Sequence, residues 1–346
     1  MNNKIIDISG IGHSGKTIVN DILKHDERIH VHPSLFEFNL LRVYGGLINL
    51  RSNLVDNWSP IRCDMAINQF KHLIKTISPS AKITNLRSML VSNGWNYNDM
   101  LECDFENISG EYINSIIDFN AKSIWPFPEI YQNAFIRFLR KINYRLFKYK
   151  KKHNLLFSSG SNFDAITKLY LEKVLFNHGK NIVCTNNMFE PYNPGKYFNF
   201  FDNPFLILVW RDPRDIYVST KVGDMHMPSD EKNYGITKLH KSFTLSDNVN
   251  NFVKRQRILL SQCSFENTNR ILNLKFEDIV YNFENSVKEI GDFLKIDLDD
   301  VDNIRKKVNP ENSKKNIGIW KNYQNQDETD FIKTELNDYM SKFGYK

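Results

Sequence analysis

Residues 10–17 read Gly-Ile-Gly-His-Ser-Gly-Lys-Thr, the G-x-x-x-x-G-K-[ST] pattern of a phosphate-binding loop. Its glycines let the backbone curl so that successive N–H groups aim at one anion. The helical pattern that follows (Ile18, Val19, Ile22, Leu23) adds the partial positive charge of a helix N-terminus. Gly12, His13, Ser14, Gly15, Lys16 and Thr17 are therefore candidate ligands of a phosphate-like group. A second anion site is expected at Arg211, which ends the apolar run Phe205 to Trp210 and is followed by helix-start chemistry in Asp212 and Pro213. Its guanidinium has the geometry to grip a phosphate bidentately, and Ser219 adds a hydroxyl donor from the next helix.

Both sites need strands that deliver them to one edge. Short apolar runs with β-branched residues recur at Lys4 to Ser9, Arg28 to His32, Asn181 to Thr185, Phe205 to Trp210 and Arg270 to Lys275. Helical patterns lie between them, among them Asp164 to Phe176 and Val249 to Leu260. The alternation predicts an α/β fold, a central and mainly parallel sheet flanked by helices in a three-layer sandwich of the P-loop NTPase type. Open sheets of this type bind ligands beyond the carboxyl ends of their strands. We expect one domain over 1–346, with a helical insertion at 45–155 that covers the acceptor. Within it, Glu129 to Lys152 places Ile130, Phe135, Phe138, Leu139, Ile142, Leu146 and Phe147 among Arg137, Arg140, Lys141, Arg145, Lys148 and Lys150 to Lys152, with 130–152 as the basic stretch. The pattern reads as an amphipathic helix with a solvated basic face, or as a site for an acidic glycan or a membrane surface.

Hydrophobic residues at 41% and charged residues at 25% allow a full core, and a net charge of +6 over 346 residues suits anionic ligands without choosing among them. No nucleic-acid recognition motif accompanies the basic helix, so nucleic acid is not expected as a partner. Cys63, Cys103, Cys184 and Cys263 are too scattered for a zinc ribbon, a redox pair or a disulfide framework. The N-terminus carries no long apolar signal region, and no stretch approaches ~18 apolar residues. The expectation is a soluble, cytoplasmic protein.

Taken together, the 10–17 loop and the Arg-Asp-Pro-Arg-Asp segment with its Ser219 resemble the P-loop sulfotransferase family, most closely its carbohydrate-type members. The resemblance implies 3′-phosphoadenosine 5′-phosphosulfate as donor and adenosine 3′,5′-bisphosphate as product. It gives the loop to the 5′-phosphosulfate, and Arg211 and Ser219 to the 3′-phosphate. Leu-Lys-Phe-Glu-Asp-Ile-Val at 274–280 is similar to the family's Tyr-Glu-Asp-Leu-Val element, which implies that Phe276 lies near the adenine. Lys-Lys-Asn-Ile-Gly-Ile-Trp-Lys at 314–321 is similar to its C-terminal basic loop, which implies Lys314 and Lys315 as further 3′-phosphate ligands. That loop is one residue shorter here and has Asn316 where glycine is usual.

Sulfuryl transfer needs an in-line acceptor, charge stabilisation and help for the leaving oxygen, and in principle no metal. Most family members carry Lys or Arg where His13 stands, and Ser or Thr where Lys16 stands. Either His13 donates a proton to the bridging oxygen or Lys16 supplies the missing cation. The general base expected from the resemblance is Glu37, in His-Pro-Ser-Leu-Phe-Glu-Phe after the second strand, with His32 as the other candidate. His25, His30 and His32 lack the carboxylate or cysteine partners of a metal site. Thr185, Asn186 and Asn187 follow the third strand and are candidates to line the acceptor pocket. The predicted reaction moves a sulfuryl group to a hydroxyl, or an amine, of a carbohydrate-like acceptor. Two rivals share the loop: an ATP- or GTP-dependent kinase or switch, which would need a strand-end carboxylate for Mg²⁺ where Arg211 stands, and a non-catalytic nucleotide- or glycan-binding module.

Overall fold

A computed structural model describes residues 3–33, 36–79, 95–125, 127–147, 152–222, 242–298 and 300–346. Seven strands are formed among them: β1 (Lys4–Ser9), β2 (Ile29–Val31), β3 (Phe119–Ser123), β4 (His153–Phe157), β5 (Ile182–Asn186), β6 (Asn203–Trp210) and β7 (Ile271–Lys275). Five make one sheet in the order β2-β5-β1-β6-β7, and every neighbouring pair runs parallel. All five therefore end at the same edge. The α/β class and the central parallel sheet are as expected from the sequence.

Contacts divide the chain into two compact units, Met1–Phe38 with Lys180–Phe198 and Asp202–Lys346, and Asn39–Gly179 with Asn199–Phe201. The first contains the five-stranded sheet. Its inner strands β5, β1 and β6 are buried on both faces, as continuous runs such as Phe-Leu-Ile-Leu-Val-Trp require. On one face Ile6 and Ile8 of β1, Ile207 and Val209 of β6 and Leu274 of β7 pack with Ile18, Val19 and Ile22 of the Thr17–Leu23 helix. They are joined by Val287 and Ile290 of the Phe283–Leu294 helix. Trp210 packs against Phe265, Tyr339 and Phe343, and donates its indole N–H to Asn273 at 2.7 Å.

The second unit holds the Pro60–Ile77 helix, capped by Ser59 with proline in the first turn. It also holds the Phe105–Ser115, Ala134–Phe147 and Phe163–Leu175 helices. Two features differ from expectation. The Phe163–Leu175 helix does not belong to the sheet unit: it packs on Phe105–Ser115 through stacked Tyr112 and Tyr170 rings at 4.3 Å and through Ser109–Tyr170 and Tyr112–Thr167 hydroxyl pairs at 2.7 and 2.9 Å. The 45–155 segment is not wholly helical, since β3 and β4 pair antiparallel as a separate sheet. Neither strand has the β-branched alternation that would announce it.

One charge sits in the middle of the apolar β1. Asp7 is fully buried, and its carboxylate takes four hydrogen bonds. Oδ1 accepts from the Thr185 hydroxyl and the Met188 N–H, both at 2.9 Å, and Oδ2 from the Ser9 hydroxyl at 2.6 Å and the Phe189 N–H at 2.9 Å. Asp7 thereby fixes the turn that follows β5. Asp7→Ala strands four buried donors and should cost about 3–5 kcal/mol. Urea unfolding checks this, and the isosteric Asp7→Asn should recover part of the loss.

Candidate functional site

Because the five strands are parallel, the segments after β1, β2, β5, β6 and β7 converge, and these carry most of the candidate residues. The loop after β1 is folded by its own sequence. Ser14 N–H donates to the Ile11 carbonyl at 3.1 Å, while His13 (φ 64°) and Gly15 (φ 82°) adopt left-handed conformations that turn the backbone. A Cβ on Gly15 would collide with the Phe276 ring. One on Gly10 would collide with Ser14 Oγ and come within 2.7 Å of the Val209 carbonyl. Gly12 meets no such limit, with Phe243 as its nearest neighbour at 3.9 Å. The Ser14 hydroxyl is buried without a hydrogen-bond partner among the described residues.

Arg211, at the end of β6, is 6% exposed. Its Nη1 donates to the His13 carbonyl at 3.0 Å and its Nη2 to the Asn316 carbonyl at 2.5 Å. Its Nε is buried with no partner among the described residues. Burial holds the guanidinium below the usual arginine pKa, with Asp215, Glu277 and Asp212 pulling the other way. Arg211 thus ties the loop to the C-terminal segment. The Phe276 ring lies under Gly15 and 5.2 Å from the guanidinium of Arg211, itself buried. Ser219 donates its hydroxyl to the Ile216 carbonyl at 3.0 Å. Lys314 pairs with Glu311 at 2.7 Å, and Lys315 is exposed.

Three carboxyls hold this corner, of which the sequence points only to Asp212, as a helix start. Asp215 accepts from the Gly318 N–H at 2.7 Å and the Trp320 N–H at 3.2 Å, and burial raises its pKa. Asp212 caps its helix by accepting the Arg214 N–H at 2.8 Å, and it pairs with the Arg214 side chain, whose guanidinium lies 3.6 Å from the Trp320 ring centre. Glu277 accepts the Asp212 N–H at 3.0 Å and the Tyr345 hydroxyl at 3.1 Å, and burial raises its pKa too. The signal was present in Arg-Asp-Pro-Arg-Asp, a run of charge at the end of an apolar strand, but the carbonyl and N–H groups it serves are about a hundred residues away in the chain.

The second cluster joins β1, β2 and β5. Lys16 Nζ lies 3.5 Å from Glu37 Oε1, and the side-chain amide of Asn187 donates to that same oxygen. Asn187 stands in the left-handed region (φ 51°), and its N–H donates to the Ile8 carbonyl at 3.0 Å. Phe38 N–H donates to the Asn186 carbonyl at 3.3 Å, which anchors the chain next to Glu37. Ser34 and Leu35 of the same stretch lie outside the described residues. Thr185 is taken up by Asp7. His32 is buried, with its N–H on the Cys184 carbonyl at 3.0 Å and its ring 5.8 Å from that of Phe36. Lys16, Glu37 and Asn187 are brought together; His32 is set back in the interior.

Residues 71–344 match the family model described as the sulfotransferase domain. The phosphate loop and Glu37 precede the matched residues. Among solved structures, the chain is similar to the sulfotransferase domain of the Synechococcus PCC 7002 olefin synthase at 14% identity, covering 87% of this chain and 77% of that one with a TM-score of 0.36. It is similar to retinol dehydratase solved with androsterone and the inactive cofactor PAP at 13% identity, covering 98% and 81% with a TM-score of 0.37. Sulfotransferase STF9 from Mycobacterium avium matches at 11% identity, covering 100% and 78% with a TM-score of 0.36. No curated protein matches.

If Asp215 and Arg211 clasp the C-terminal segment, Asp215→Ala should loosen it. Trypsin cleavage after Lys314 and Lys315 should speed up by about fivefold or more relative to the global unfolding rate, because local opening of that segment becomes easier. Mass spectrometry of the early fragments reads this directly; unchanged cleavage at those two lysines would remove the clasp from the account.

Proposed function

The chain belongs to the sulfotransferase family, and from that premise we propose that it transfers the sulfuryl group of 3′-phosphoadenosine 5′-phosphosulfate to a hydroxyl of a carbohydrate-like acceptor. The observation that carries the reading is the Lys16–Glu37–Asn187 cluster beside the glycine loop. The loop suits the 5′ end of the donor: it has the glycine cradle, a lysine at its rim, and a buried hydroxyl on Ser14 with no partner among the described residues. When bound, the donor supplies an activated sulfur whose bond to the bridging oxygen breaks as the bond to the acceptor oxygen forms.

The protein's own residues supply the rest. Glu37 takes the proton from the acceptor hydroxyl, and the Asn187 amide fixes the plane of its carboxylate. Lys16 stabilises charge on the leaving oxygen. Glu37 is favoured over His32 as base because it sits beside Lys16, whereas His32 is buried. Lys16 is favoured over His13 as the leaving-group cation for the same reason of placement. The ion pair at 3.5 Å joins a Glu37 side chain 37% exposed to a Lys16 side chain 16% exposed; partly screened by solvent, it is worth about 1 kcal/mol, which contacts with substrate can offset.

At the 3′ end, Ser219 and Lys314 make weak local bonds that a phosphate can replace, and Arg211 contributes its buried Nε and its charge. The kinase reading finds little support here. Asp7 and Asp212, the carboxylates nearest the ends of β1 and β6, are saturated by N–H, hydroxyl or guanidinium donors and are poorly placed to hold Mg²⁺. A cytoplasmic setting is supported by four free thiols.

Adenosine 3′,5′-bisphosphate should raise the melting temperature without Mg²⁺; protection by Mg²⁺-ATP alone would sink the proposal. With a labelled donor and an active acceptor from a sugar panel, Glu37→Gln and Lys16→Ala should each lower kcat by about a hundredfold or more. Bisphosphate affinity should stay nearly unchanged in Glu37→Gln. His13→Ala should cost less than about tenfold in kcat if Lys16 serves the leaving oxygen.

A further inference from the structure

The Ala134–Phe147 helix of the second unit has no buried residue. Thirteen of its fourteen residues are exposed and Arg140 is half-buried. Phe135, Phe138, Leu139, Ile142 and Leu146 recur at the i, i+3, i+4, i+7, i+11 spacing that lines one face. Along this stripe exposure runs from 37% at Ile142 to 69% at Leu146. Arg137, Arg140, Lys141 and Arg145 lie away from the stripe, with Ile136, Tyr144 and Phe147 among them, and the helix contains no acidic residue. Just before it, Ile130 and Tyr131 are 64% and 76% exposed. Lys152 continues the basic character, and Lys148, Lys150 and Lys151 fall outside the described residues.

We propose that this helix is an anchor that lies flat in the surface of an anionic lipid bilayer, with its phenylalanine stripe among the acyl chains and its arginines and lysine at the headgroups. Only this partner satisfies both faces. An acidic glycan would neutralise the four cations and leave five large apolar side chains in water. A second copy of the chain would cover the stripe and leave the four cations without a counter-charge. The anionic bilayer offers apolar depth and negative charge at once, which is the chemistry of basic amphipathic helices at membranes. The helix is about 21 Å long, too short for the roughly 30 Å hydrocarbon core, so it lies on the surface and does not span it. Among the described residues no helix is long and apolar enough to cross a membrane.

The test is co-sedimentation of the full chain with vesicles of equimolar phosphatidylcholine and phosphatidylglycerol, against phosphatidylcholine alone. Binding should require the anionic lipid and weaken with salt. The pair Phe138→Asp and Leu139→Asp should lower partitioning by about tenfold or more, and so should Arg137→Glu with Lys141→Glu. Circular dichroism and sedimentation velocity check that these surface variants stay folded. A tryptophan placed by Phe138→Trp should be quenched by brominated acyl chains. The proposal is overturned if anionic vesicles do not retain the chain, or if the paired aspartates leave partitioning unchanged while soluble heparin binds the wild type equally well. Conversion of a wild-type dimer to a monomer by the aspartates, without vesicle binding, would assign the stripe to a second copy instead.

Discussion

A guanidinium nearly closed off from water at the end of β6 sets the terms for the corner of the sheet around it. A buried charge is tolerated only when surrounding dipoles and countercharges replace its hydration. Arg211 obtains this from the His13 and Asn316 carbonyls and from Asp215, Glu277 and Asp212. Each of those groups then makes its own demand. Asp215 is drawn in and holds the Gly318 and Trp320 N–H groups, while Asp212 needs Arg214, whose guanidinium covers the Trp320 ring. Three carboxyls against two guanidiniums leave one excess negative charge if all are ionised. Burial pushes Asp215 and Glu277 upward in pKa. The sign follows: the folded state holds these protons more tightly than the unfolded chain, so the two carboxyls oppose folding more as pH rises through their raised range.

Local patterns in the sequence carried far, and distant partnerships did not. β1 was legible to the residue, and β6 nearly so, because apolar runs between turn signals need no information from elsewhere. The turn at residues 10–17 was legible because its glycines answer to contacts within the loop and on the adjoining strand ends, Gly10 against Val209 and Gly15 against Phe276. The bonding of Arg211 was not. A phosphate and a pair of backbone carbonyls look alike to a guanidinium, and the Asn316 carbonyl lies far along the chain. For the same reason Phe163–Leu175 was assigned beside the sheet: its period says helix, and only the tyrosine stack with Tyr112 says which unit it serves. β3 and β4 are held by pairing across more than thirty residues, and their composition is too mixed to announce a strand.

Two carboxylates near the loop differ in how the fold holds them. Asp7 is wholly buried and receives four donors, from Ser9 on β1, Thr185 on β5 and the Met188 and Phe189 N–H groups after β5, a geometry that fixes the turn there. Glu37 has a side chain more than a third exposed, next to a lysine from the loop and an amide from that same turn. Asp7 fixes the turn, the turn presents Asn187, and Asn187 orients Glu37. The rigid carboxylate thus sets the geometry, and the more exposed one is placed by it. A weak ion pair at the rim, set on a strongly bonded sheet edge, can open without drawing on the stability of the fold.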